Sequence, residues 1–581
     1  MIPTPRLPHF SVIIASLLLA MSCASPLTID RTVSSRYGVA VCVDDLAVRV
    51  GASILANGGN AVDAAVAMGF ALAVTHPQAG NLGGGGFMVI RLPDSRCTCI
   101  DYRERAPAAS TTTMFLAADG TIDTTQRDLG FLATATPGTV AGLELAHRRY
   151  GRLPWRILVE PAIELARAGF TVDDDLARSL AKHGDDLARF PTTKKIFFDA
   201  STGRPLAQGD RLVQPDLAAT LTSIRDRGSA GLYRGTVAEE LIRSIQTGGG
   251  IMTLDDLASY RALEKEPLMG FFRGHTIVAM PLPSSGGTVL IEILNMLSAY
   301  DLKALDRAER LHIMAEAMRR AFRDRALFLG DDEFVPVPVN SLLTPERAAE
   351  LIDTIDPDRA TDSQVLARDM TIHASELSEQ NENEPAFPTQ TTHFAVMDHA
   401  GIMVSNTYTL EQTFGCKAVA GATGMLMNNE MGDFNLRPGW TADDGKIGTS
   451  PNIIAPRKRM LSSMCPVILL RQGKPCAILG SPGGRTIINT VLQVLVNLVV
   501  LELPPEEAVA APRIHHQWFP DRITLEKKLD GAIKQELQAR GHRIKEIERQ
   551  GDAHLIVVDE LSGVMTGVAD RRIDGFAAGL D

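Results

Sequence analysis

Apolar residues recur with helical spacing in the first half of the chain. In residues 61–74, Ala and Val recur at i, i+3 and i+4, and Pro77 follows the end of this pattern. Residues 138–350 also have a mainly helical pattern, with short strands near residues 276–280. These patterns predict a chain whose N-terminal part is dominated by buried helices.

Two later segments alternate between apolar and polar residues with a period of two. Residues 391–398 and 402–409 are joined by His399-Ala400-Gly401, and this arrangement predicts a β-hairpin. With a three-residue loop, Asp398 pairs with Ile402, and stepping outward places Thr391 opposite Thr409. A two-residue loop would shift the register by one and turn Thr409 to the other face.

Further strands are predicted at residues 466–471 and 477–479, followed by a buried helix at residues 486–501. Helical segments therefore precede and follow a strand-rich middle, which predicts sheets between helical layers. Residues 356–390 separate the two parts, and their latter half is acidic and interrupted by Pro385 and Pro388. We interpret this stretch as a mobile linker.

Four consecutive glycines, Gly83 to Gly86, precede a strand at residues 87–92. They require either positive φ angles or a close approach of another group to the backbone. A phosphate-binding loop does not fit, because no Gly-Lys-Ser/Thr follows and the next element is a strand rather than a helix.

The N-terminus has the pattern of an export signal. Arg6 is its only charge, residues 10–21 are apolar, and the small residues Ser22-Cys23-Ala24-Ser25 follow. We expect cleavage after Ala24, which makes residues 1–24 a signal peptide and the protein periplasmic or extracellular. A lipid anchor on Cys23 is the alternative, and only that form would contact a membrane.

Composition narrows the possible partners. The 581-residue chain has a formal net charge of −11, which argues against binding the nucleic-acid backbone. An anionic small molecule remains possible, because one buried Arg can reverse the local sign. Seven cysteines are too few for a disulfide scaffold. His515 and His516 are adjacent and have no third ligand nearby, so we expect no metal and no cofactor.

Thr391 is the candidate nucleophile. A threonine hydroxyl needs a base, and the α-amine of an N-terminal threonine can serve as one. The bond between Gln390 and Thr391 would have to be cut, and it lies where the acidic linker meets a strand. Taken alone, the Thr391-Thr392 pair fits the simple start of a strand equally well.

Eight short segments form a recognisable set along the chain: Thr391-Thr392-His393, residues 80–87 (GNLGGGGF), Asp101-Tyr102-Arg103-Glu104, Pro137-Gly138-Thr139, Pro283-Ser284-Ser285-Gly286-Gly287, Asn428-Asn429-Glu430-Met431, Leu461-Ser462-Ser463-Met464 and Ser481-Pro482-Gly483-Gly484. Through these segments the chain resembles the γ-glutamyltransferase family of N-terminal nucleophile hydrolases, from about Val33 to Gly579. The resemblance implies a four-layer αββα sandwich and self-cleavage before Thr391. The products would be a large subunit, residues 25–390, and a small subunit, residues 391–581, which form a heterodimer.

The resemblance also implies the site residues. Arg103 would pair with the α-carboxylate of a γ-glutamyl group, and Ser462 and Ser463 would donate hydroxyl groups to it. Glu430 and Asp433 would accept from the ammonium group. Thr409 would support the nucleophile, while the backbone N–H groups of Gly483 and Gly484 would stabilise the oxyanion.

Two residues near the expected γ-glutamyl site depart from the family pattern. Glu411 stands where some members have Asn, so we expect a substrate contact there without specifying its form. Gly432 replaces the first acid of a common Asp-Asp pair and leaves Asp433 alone. Residues 436–456 are long enough to form the lid loop of some members.

The expected reaction is γ-glutamyl transfer and hydrolysis by Thr391, with glutathione or related γ-glutamyl compounds as donors. Water, an amino acid or a dipeptide would accept the group. One alternative is a related acylase acting on glutaryl-β-lactams or poly-γ-glutamate, but glutaryl substrates lack the ammonium that Glu430 and Asp433 would bind. A non-catalytic exported binding protein is a second alternative, and retention of Thr391 and Arg103 argues against it.

Overall fold

A computed structural model describes residues 27–367, 370–375 and 391–580. The predicted signal peptide, Cys23 and Gln390 therefore lie outside the described residues. Among the described helices, none is both long enough and apolar enough to cross a membrane. The six cysteines in the described part of the chain are free thiols.

Two large, mainly antiparallel sheets form the centre of the molecule. The first has its strands in the order Thr28–Asp30, Phe576–Gly579, Gly38–Cys42, Thr391–Asp398, Met403–Thr409, Gly85–Arg91, Cys97–Tyr102 and Leu263–Lys265. The second has the order Thr32–Ser35, Met565–Ala569, His554–Val558, Lys474–Gly480, Val467–Arg471, His275–Ala279 and Leu268–Phe272. Short additional strands are Phe170–Thr171 with Arg211–Leu212, Ile372–His373 with Thr441–Ala442, and Ile514–His515 with Ile523–Glu526 and Ile544–Ile547.

Alternation along the strands of the first sheet creates two buried faces. Ala40 and Phe394 pack into a core that also contains the N-terminal helices. Val41 and Ala395, one residue further along the same strands, pack toward the second sheet. Successive strand side chains point to opposite faces, so every strand position in the centre of this sheet is buried on one side or the other.

Helices cover both outer faces, which gives the four layers. Those packed with the first sheet include Asp45–Ala56, Ala61–Thr75, Thr139–Tyr150, Trp155–Ala168, Pro215–Arg227 and Thr236–Thr247. Those packed with the second sheet include Ser285–Leu297, Arg307–Phe328, Pro345–Ile352, Thr486–Val499, Pro505–Ala510 and Gly531–Ala539. Other helices are Thr124–Asp128, Asp174–Lys182, Gly184–Ala188, Pro191–Phe197, Ala230–Tyr233, Leu254–Ser259 and Val339–Leu342. The predicted αββα sandwich is confirmed.

The predicted hairpin has the predicted register. Thr391–Asp398 pairs antiparallel with Met403–Thr409, and Thr391 lies opposite Thr409. The loop keeps its three-residue form because Asp398 Oδ1 accepts from the backbone N–H groups of Ala400 and Ile402. The turn thus fixes the position of every later residue in the ladder.

Both sheets contain strands from either side of position 390, paired with each other. In the first sheet, Gly38–Cys42 lies between Phe576–Gly579 and Thr391–Asp398. In the second sheet, His275–Ala279 pairs with Val467–Arg471. Residues before and after the predicted cleavage site therefore share one hydrogen-bonded core.

The first part of the predicted linker is not a linker. Ser363 is buried, its backbone oxygen accepts from Trp518 Nε1 at 2.9 Å, and its N–H donates to Asp521 Oδ2 at 3.0 Å. Ile372–His373 then pairs with Thr441–Ala442. The prediction of a mobile segment is wrong for these described residues, because acidic composition alone does not reveal the side chains on which a segment packs.

Candidate active site

Most of the predicted site residues lie around a single cavity of about 700 Å³. Its walls include Arg103, Thr391, Thr409, Glu411, Glu430, Asp433, Ser462, Ser463 and Gly484. Gly483, the remaining candidate, precedes Gly484 in the chain. Residues that are distant in sequence are thus brought to one place, as the resemblance predicts.

Thr391 lies at the first position of its strand and is almost completely buried. Its Oγ1 donates to Thr409 Oγ1 at 3.3 Å. Thr409 Oγ1 also accepts from the backbone N–H of Glu411 at 2.9 Å. The two threonine side chains share one face of the sheet, so the contact predicted from the register is present.

The glycine run before Gly85–Arg91 allows the backbone of Thr409 to approach closely. A Cβ on Gly84 would lie 2.0 Å from the Thr409 carbonyl oxygen. The same oxygen accepts from Asn81 Nδ2 at 2.9 Å. Of the two explanations for the four glycines, close approach is therefore correct, since none of them has a positive φ.

Arg103 is fully buried and contacts three carboxyl groups. Its Nη1 lies 2.8 Å from Glu430 Oε2 and 3.3 Å from Glu104 Oε2, while Nη2 lies 2.5 Å from Asp433 Oδ2. The sequence interpretation placed Arg103 at one pole of the substrate and the acids Glu430 and Asp433 at the other. In the structure these groups form one ion-paired cluster.

Burial controls the protonation of the acids around this cluster. It raises the pKa of Glu411 to about 8, with Asp433 and Asp128 adding to the effect. It also raises the pKa of Glu430 well above its ordinary value, although Arg103 opposes the rise. Burial therefore favours the neutral form of both carboxyl groups.

The serine pair is held by a second loop. The backbone N–H of Ser285 donates to the Ser462 carbonyl oxygen at 2.8 Å, and the Ser462 N–H donates to the Pro283 oxygen at 2.9 Å. Two of the motifs singled out in the sequence, residues 283–287 and 461–464, are thus hydrogen-bonded to each other. The first motif positions the second.

Gly483 and Gly484 form the turn between Lys474–Gly480 and Thr486–Val499. Their φ values are 134° and 55°, in the region that favours glycine. A Cβ on Gly484 would meet no atom within 4 Å, because this position opens into the cavity. The turn leaves room for an acyl group at the start of a long helix.

The predicted lid segment borders the cavity through several residues after Trp440. The Trp440 ring itself stacks on His373, with ring centroids 3.6 Å apart and an interplanar angle of 8°. The guanidinium carbon of Arg437 lies 3.8 Å from the centroid of the same ring. Trp440 therefore fixes the segment against residues 370–375.

Among the described residues, one group of side chains has metal-ligand spacing: His312, Glu316 and His542. His312 Nδ1 and His542 Nε2 are 2.8 Å apart and share a hydrogen bond. Glu316 is ion-paired with Arg319 and Arg320. Two buried guanidinium groups disfavour a divalent cation here, and we assign no metal to this cluster.

Comparison with known proteins agrees with this site. The family model described as Gamma-glutamyltranspeptidase matches residues 47–580. A glutathione hydrolase proenzyme of Escherichia coli (strain K12) is 43% identical over 551 residues, which covers 94% of this chain and 92% of the relative. The chain belongs to the gamma-glutamyltranspeptidase family.

Solved structures place the fold in the same family. Gamma-glutamyltranspeptidase of Helicobacter pylori is 43% identical, with a TM-score of 0.54, over 55% of this chain and 92% of that chain. A cephalosporin acylase from Bacillus halodurans is 26% identical, with a TM-score of 0.82, over 95% of this chain and 97% of that chain. The recognition of the family from short motifs is confirmed.

The sequence analysis missed two cationic residues that line the cavity, Arg325 and Arg485. Arg325 lies in the last turn of Arg307–Phe328, where its Nε donates to Ser285 Oγ at 2.9 Å and its Nη2 to Ser463 Oγ at 3.0 Å. Arg485 lines the cavity and donates to the Gly445 oxygen at 3.0 Å. No local signal distinguishes a cavity-lining arginine from a surface one in a helix that contains several.

His515 is also part of the wall. Its Nδ1 is 2.7 Å from Asn489 Nδ2 in the buried helix Thr486–Val499. Burial lowers its pKa to about 3, so it is neutral. His515 is therefore packed within the fold and also forms part of the cavity wall.

Proposed function

We propose that the protein is a γ-glutamyltransferase and glutathione hydrolase in which Thr391 is the nucleophile. The observation that carries this proposal is the position of Thr391. Its hydroxyl lies beside that of Thr409, at the wall of a cavity that also contains Arg103 and the acids around it. Family membership supplies the reaction class, and the cavity supplies groups that match both ends of a γ-glutamyl group.

In the first step the Thr391 hydroxyl oxygen attacks the γ-carbonyl carbon of the donor. The hydroxyl proton passes to the α-amine of Thr391, and the negative charge on the carbonyl oxygen is stabilised by the N–H groups of Gly483 and Gly484. The C–N bond then breaks, and the proton moves from the amine to the leaving nitrogen. Water, or the amine of an amino acid or dipeptide, reverses these steps on the ester and releases the γ-glutamyl group.

Donor orientation follows from the two kinds of charged group. Arg103, Ser462 and Ser463 would bind the α-carboxylate, and Glu430 with Asp433 would accept from the α-ammonium. The ammonium would take the place of part of the contact between Arg103 and these acids. Glu411, with its pKa raised to about 8, borders the same volume and would bind near the ammonium.

The α-amine exists only after the bond between Gln390 and Thr391 is cut. We therefore include self-cleavage in the proposal, giving a large subunit of residues 25–390 and a small subunit of residues 391–581. The N-terminal signal pattern supports export before or during this maturation. Anchoring through Cys23 is the alternative to signal-peptide cleavage after Ala24.

The acylase alternative is less well supported. A glutaryl group has a carboxylate but no ammonium, so it would leave Glu430 and Asp433 facing an apolar methylene. Although Arg103 is ion-paired with both acids, covering their remaining oxygens with a methylene group that offers no hydrogen bond is unfavourable. A glutaryl-specific cavity would therefore replace at least one of these acids.

The decisive experiment is incubation of the purified protein with glutathione, with and without glycylglycine, followed by identification of the products. We expect glutamate and cysteinylglycine without the acceptor, and γ-glutamyl-glycylglycine in its presence. Glutaryl-p-nitroanilide serves as the comparison donor. Faster turnover of this compound than of γ-glutamyl-p-nitroanilide would replace the proposal with the acylase function.

A further inference from the structure

The short three-stranded sheet places a row of polar side chains on the cavity. In the register of its strands, His515 lies opposite Thr524, and Thr524 lies opposite Lys545. Paired residues on neighbouring strands point to the same face of a sheet, and all three residues border the cavity. Arg522 comes directly before the central strand of this sheet and also borders the cavity. None of these residues is assigned to the γ-glutamyl group.

Thr524 has a buried hydroxyl that lacks a partner. The residue is 4% exposed, and its Oγ1 has no hydrogen-bond partner among the described residues. Such hydroxyl groups are uncommon, because burial removes their hydrogen bonds to water. His515, the neighbour on one side, already has partners: its Nδ1 bonds Asn489 and its Nε2 bonds Gln517. The Thr524 hydroxyl therefore remains available to a ligand in the cavity.

The charge beside this hydroxyl is positive. Lys545, the neighbour on the other side, is half-buried, and so is Arg522. Asp443 and Asp444 border the cavity as well, and both are engaged. Asp443 Oδ1 accepts from a backbone N–H at 2.8 Å, and Asp444 Oδ2 lies 2.7 Å from Lys446 Nζ. A hydroxyl donor next to an ammonium and a guanidinium is an arrangement that suits a carboxylate.

A γ-glutamyl donor brings a carboxylate of this kind in its leaving group. Glutathione is cleaved into a γ-glutamyl group and cysteinylglycine, which has a carboxylate at its end. The two residues of this leaving peptide, when extended, reach about 7 Å beyond the bond that is cut. The γ-glutamyl group lies toward Arg103, so the leaving peptide extends into the rest of the cavity, to which the short sheet contributes.

We propose that Thr524 and Lys545, with Arg522 beside them, form a subsite for the terminal carboxylate of the leaving peptide. An acceptor dipeptide enters the place that the leaving peptide vacates, because transfer is the reverse of acylation with a different amine. The same subsite therefore binds the carboxylate of the acceptor. This inference rests on the proposed function and adds to it the preferred class of leaving group and acceptor, namely peptides with a free C-terminal carboxylate.

The test compares glutathione with its glycinamide analogue, which lacks the negative charge at the end of the leaving peptide. Thr524→Val should lower kcat/KM for glutathione by roughly tenfold, because it removes a hydrogen bond to a charged group at nearly constant shape. Lys545→Gln should lower it by roughly fivefold, since the ammonium is partly exposed to water. For the glycinamide analogue, either loss should be less than about threefold. The losses on glutathione should appear mainly in KM.

The acceptor gives a second readout. With γ-glutamyl-p-nitroanilide as donor, transfer to glycylglycine is compared with transfer to glycylglycinamide, and both substitutions should reduce the first more than the second. Lys534→Gln is the matched control, because it removes the same charge from the helix Gly531–Ala539. Lys534 lies outside the cavity lining, and its Nζ is 2.9 Å from Glu546 Oε1. It should leave both preferences unchanged.

Equal losses on glutathione and its glycinamide analogue would overturn the inference, since a merely structural role would not distinguish them. Unchanged kinetics of both variants on glutathione would do the same. If Thr524→Val does not fold, as judged by its unfolding midpoint, Lys545→Gln decides with the same substrates.

The p-nitroanilide donor separates this inference from the proposed function. If the unsubstituted protein releases no p-nitroaniline from γ-glutamyl-p-nitroanilide, the proposed function fails and the inference falls with it. If release occurs but glutathione and its glycinamide analogue are used equally well, the proposed function stands and the inference alone fails.

Discussion

The nucleophile pair and the charged cluster are neighbours in the cavity but are built in different ways. Thr391 and Thr409 are neutral, lie 18 residues apart, and meet because one hairpin has one register. Arg103, Glu430 and Asp433 come from distant segments and meet only when the sheets and loops have assembled. Backbone pairing fixes the first region, whereas mutual charge compensation holds the second.

This difference determines how each region should respond to substitution. A substitution in the threonine pair removes a single neutral group, and the backbone hydrogen bonds between the two strands remain intact. A change in the charged cluster leaves buried groups of one sign without their partners, which is costly. The predictions below separate these two kinds of response.

The largest effect is expected for Thr391→Ala. Without the hydroxyl, the bond before position 391 should not be cut, and the protein should remain one band on a denaturing gel. Turnover of γ-glutamyl-p-nitroanilide should fall by on the order of 10⁴-fold or more. The unsubstituted protein should give two bands, with Thr as the N-terminal residue of the smaller one. Cleavage that persists in the variant would exclude Thr391 as the processing nucleophile.

Arg103→Lys should weaken donor use far more than maturation. Lysine keeps the charge but not the planar fork that contacts several acids at once, which costs roughly 1.5–3 kcal/mol for a charged hydrogen bond. Donor kcat/KM should therefore fall by roughly 10- to 150-fold while the two-band pattern persists. An unchanged kcat/KM would show that Arg103 does not organise the donor site.

Thr409→Val should slow acylation by roughly tenfold, because the hydroxyl that contacts Thr391 is removed at nearly constant shape. The donor KM should change little. Thr407→Val is the matched control: Thr407 is two residues away on the same strand and bonds His393 at 2.8 Å. It should reduce stability without slowing acylation. Equal acylation rates in the two variants would refute a direct role for Thr409.

The last prediction concerns stability rather than turnover: Glu411 should make the free energy of unfolding depend on pH. The pKa of Glu411 is raised to about 8 in the folded protein, so the folded state binds its proton more tightly than the unfolded state. Its contribution to stability is therefore most favourable at low pH and is lost as pH rises toward 8. Between pH 5 and 8 the loss of this proton should lower the free energy of unfolding by roughly 3–4 kcal/mol. Glu411→Gln, in the uncleaved Thr391→Ala background, should remove that decrease, as measured by denaturant unfolding at each pH. A slope identical to that of the parent would contradict this assignment.

Local patterns were sufficient to predict the hairpin, the buried helices and the meeting of Thr391 with Thr409. Each of these depends on period and loop length within a few dozen residues. The four glycines were predicted either to adopt positive φ angles or to allow a close approach, and the partner in that approach, Thr409, could not be named. That partner is more than 300 residues away, and only the assembled sheet brings it there.

The charged cluster was predicted as a set of residues but not as an arrangement. Motifs indicated Arg103, Glu430 and Asp433, yet their direct contact depends on burial, which a sequence does not specify. Arg325 was missed for a related reason: its hydrogen-bond partners are Ser285, at the start of another helix, and Ser463, in a distant loop. Likewise, the acidic latter half of residues 356–390 led us to interpret the whole stretch as a linker, although the contact between Ser363 and Trp518 holds part of its first half in the core.

The pairing of strands from before and after position 390 within the same sheets has a kinetic consequence. Before cleavage, a denatured molecule can refold by a unimolecular reaction. After cleavage, the same sheets consist of two polypeptides, and recovery would require two unfolded chains to find each other at low concentration. Cleavage would therefore make unfolding effectively irreversible. The lifetime of the mature enzyme, rather than an equilibrium constant, would then set how much of it survives.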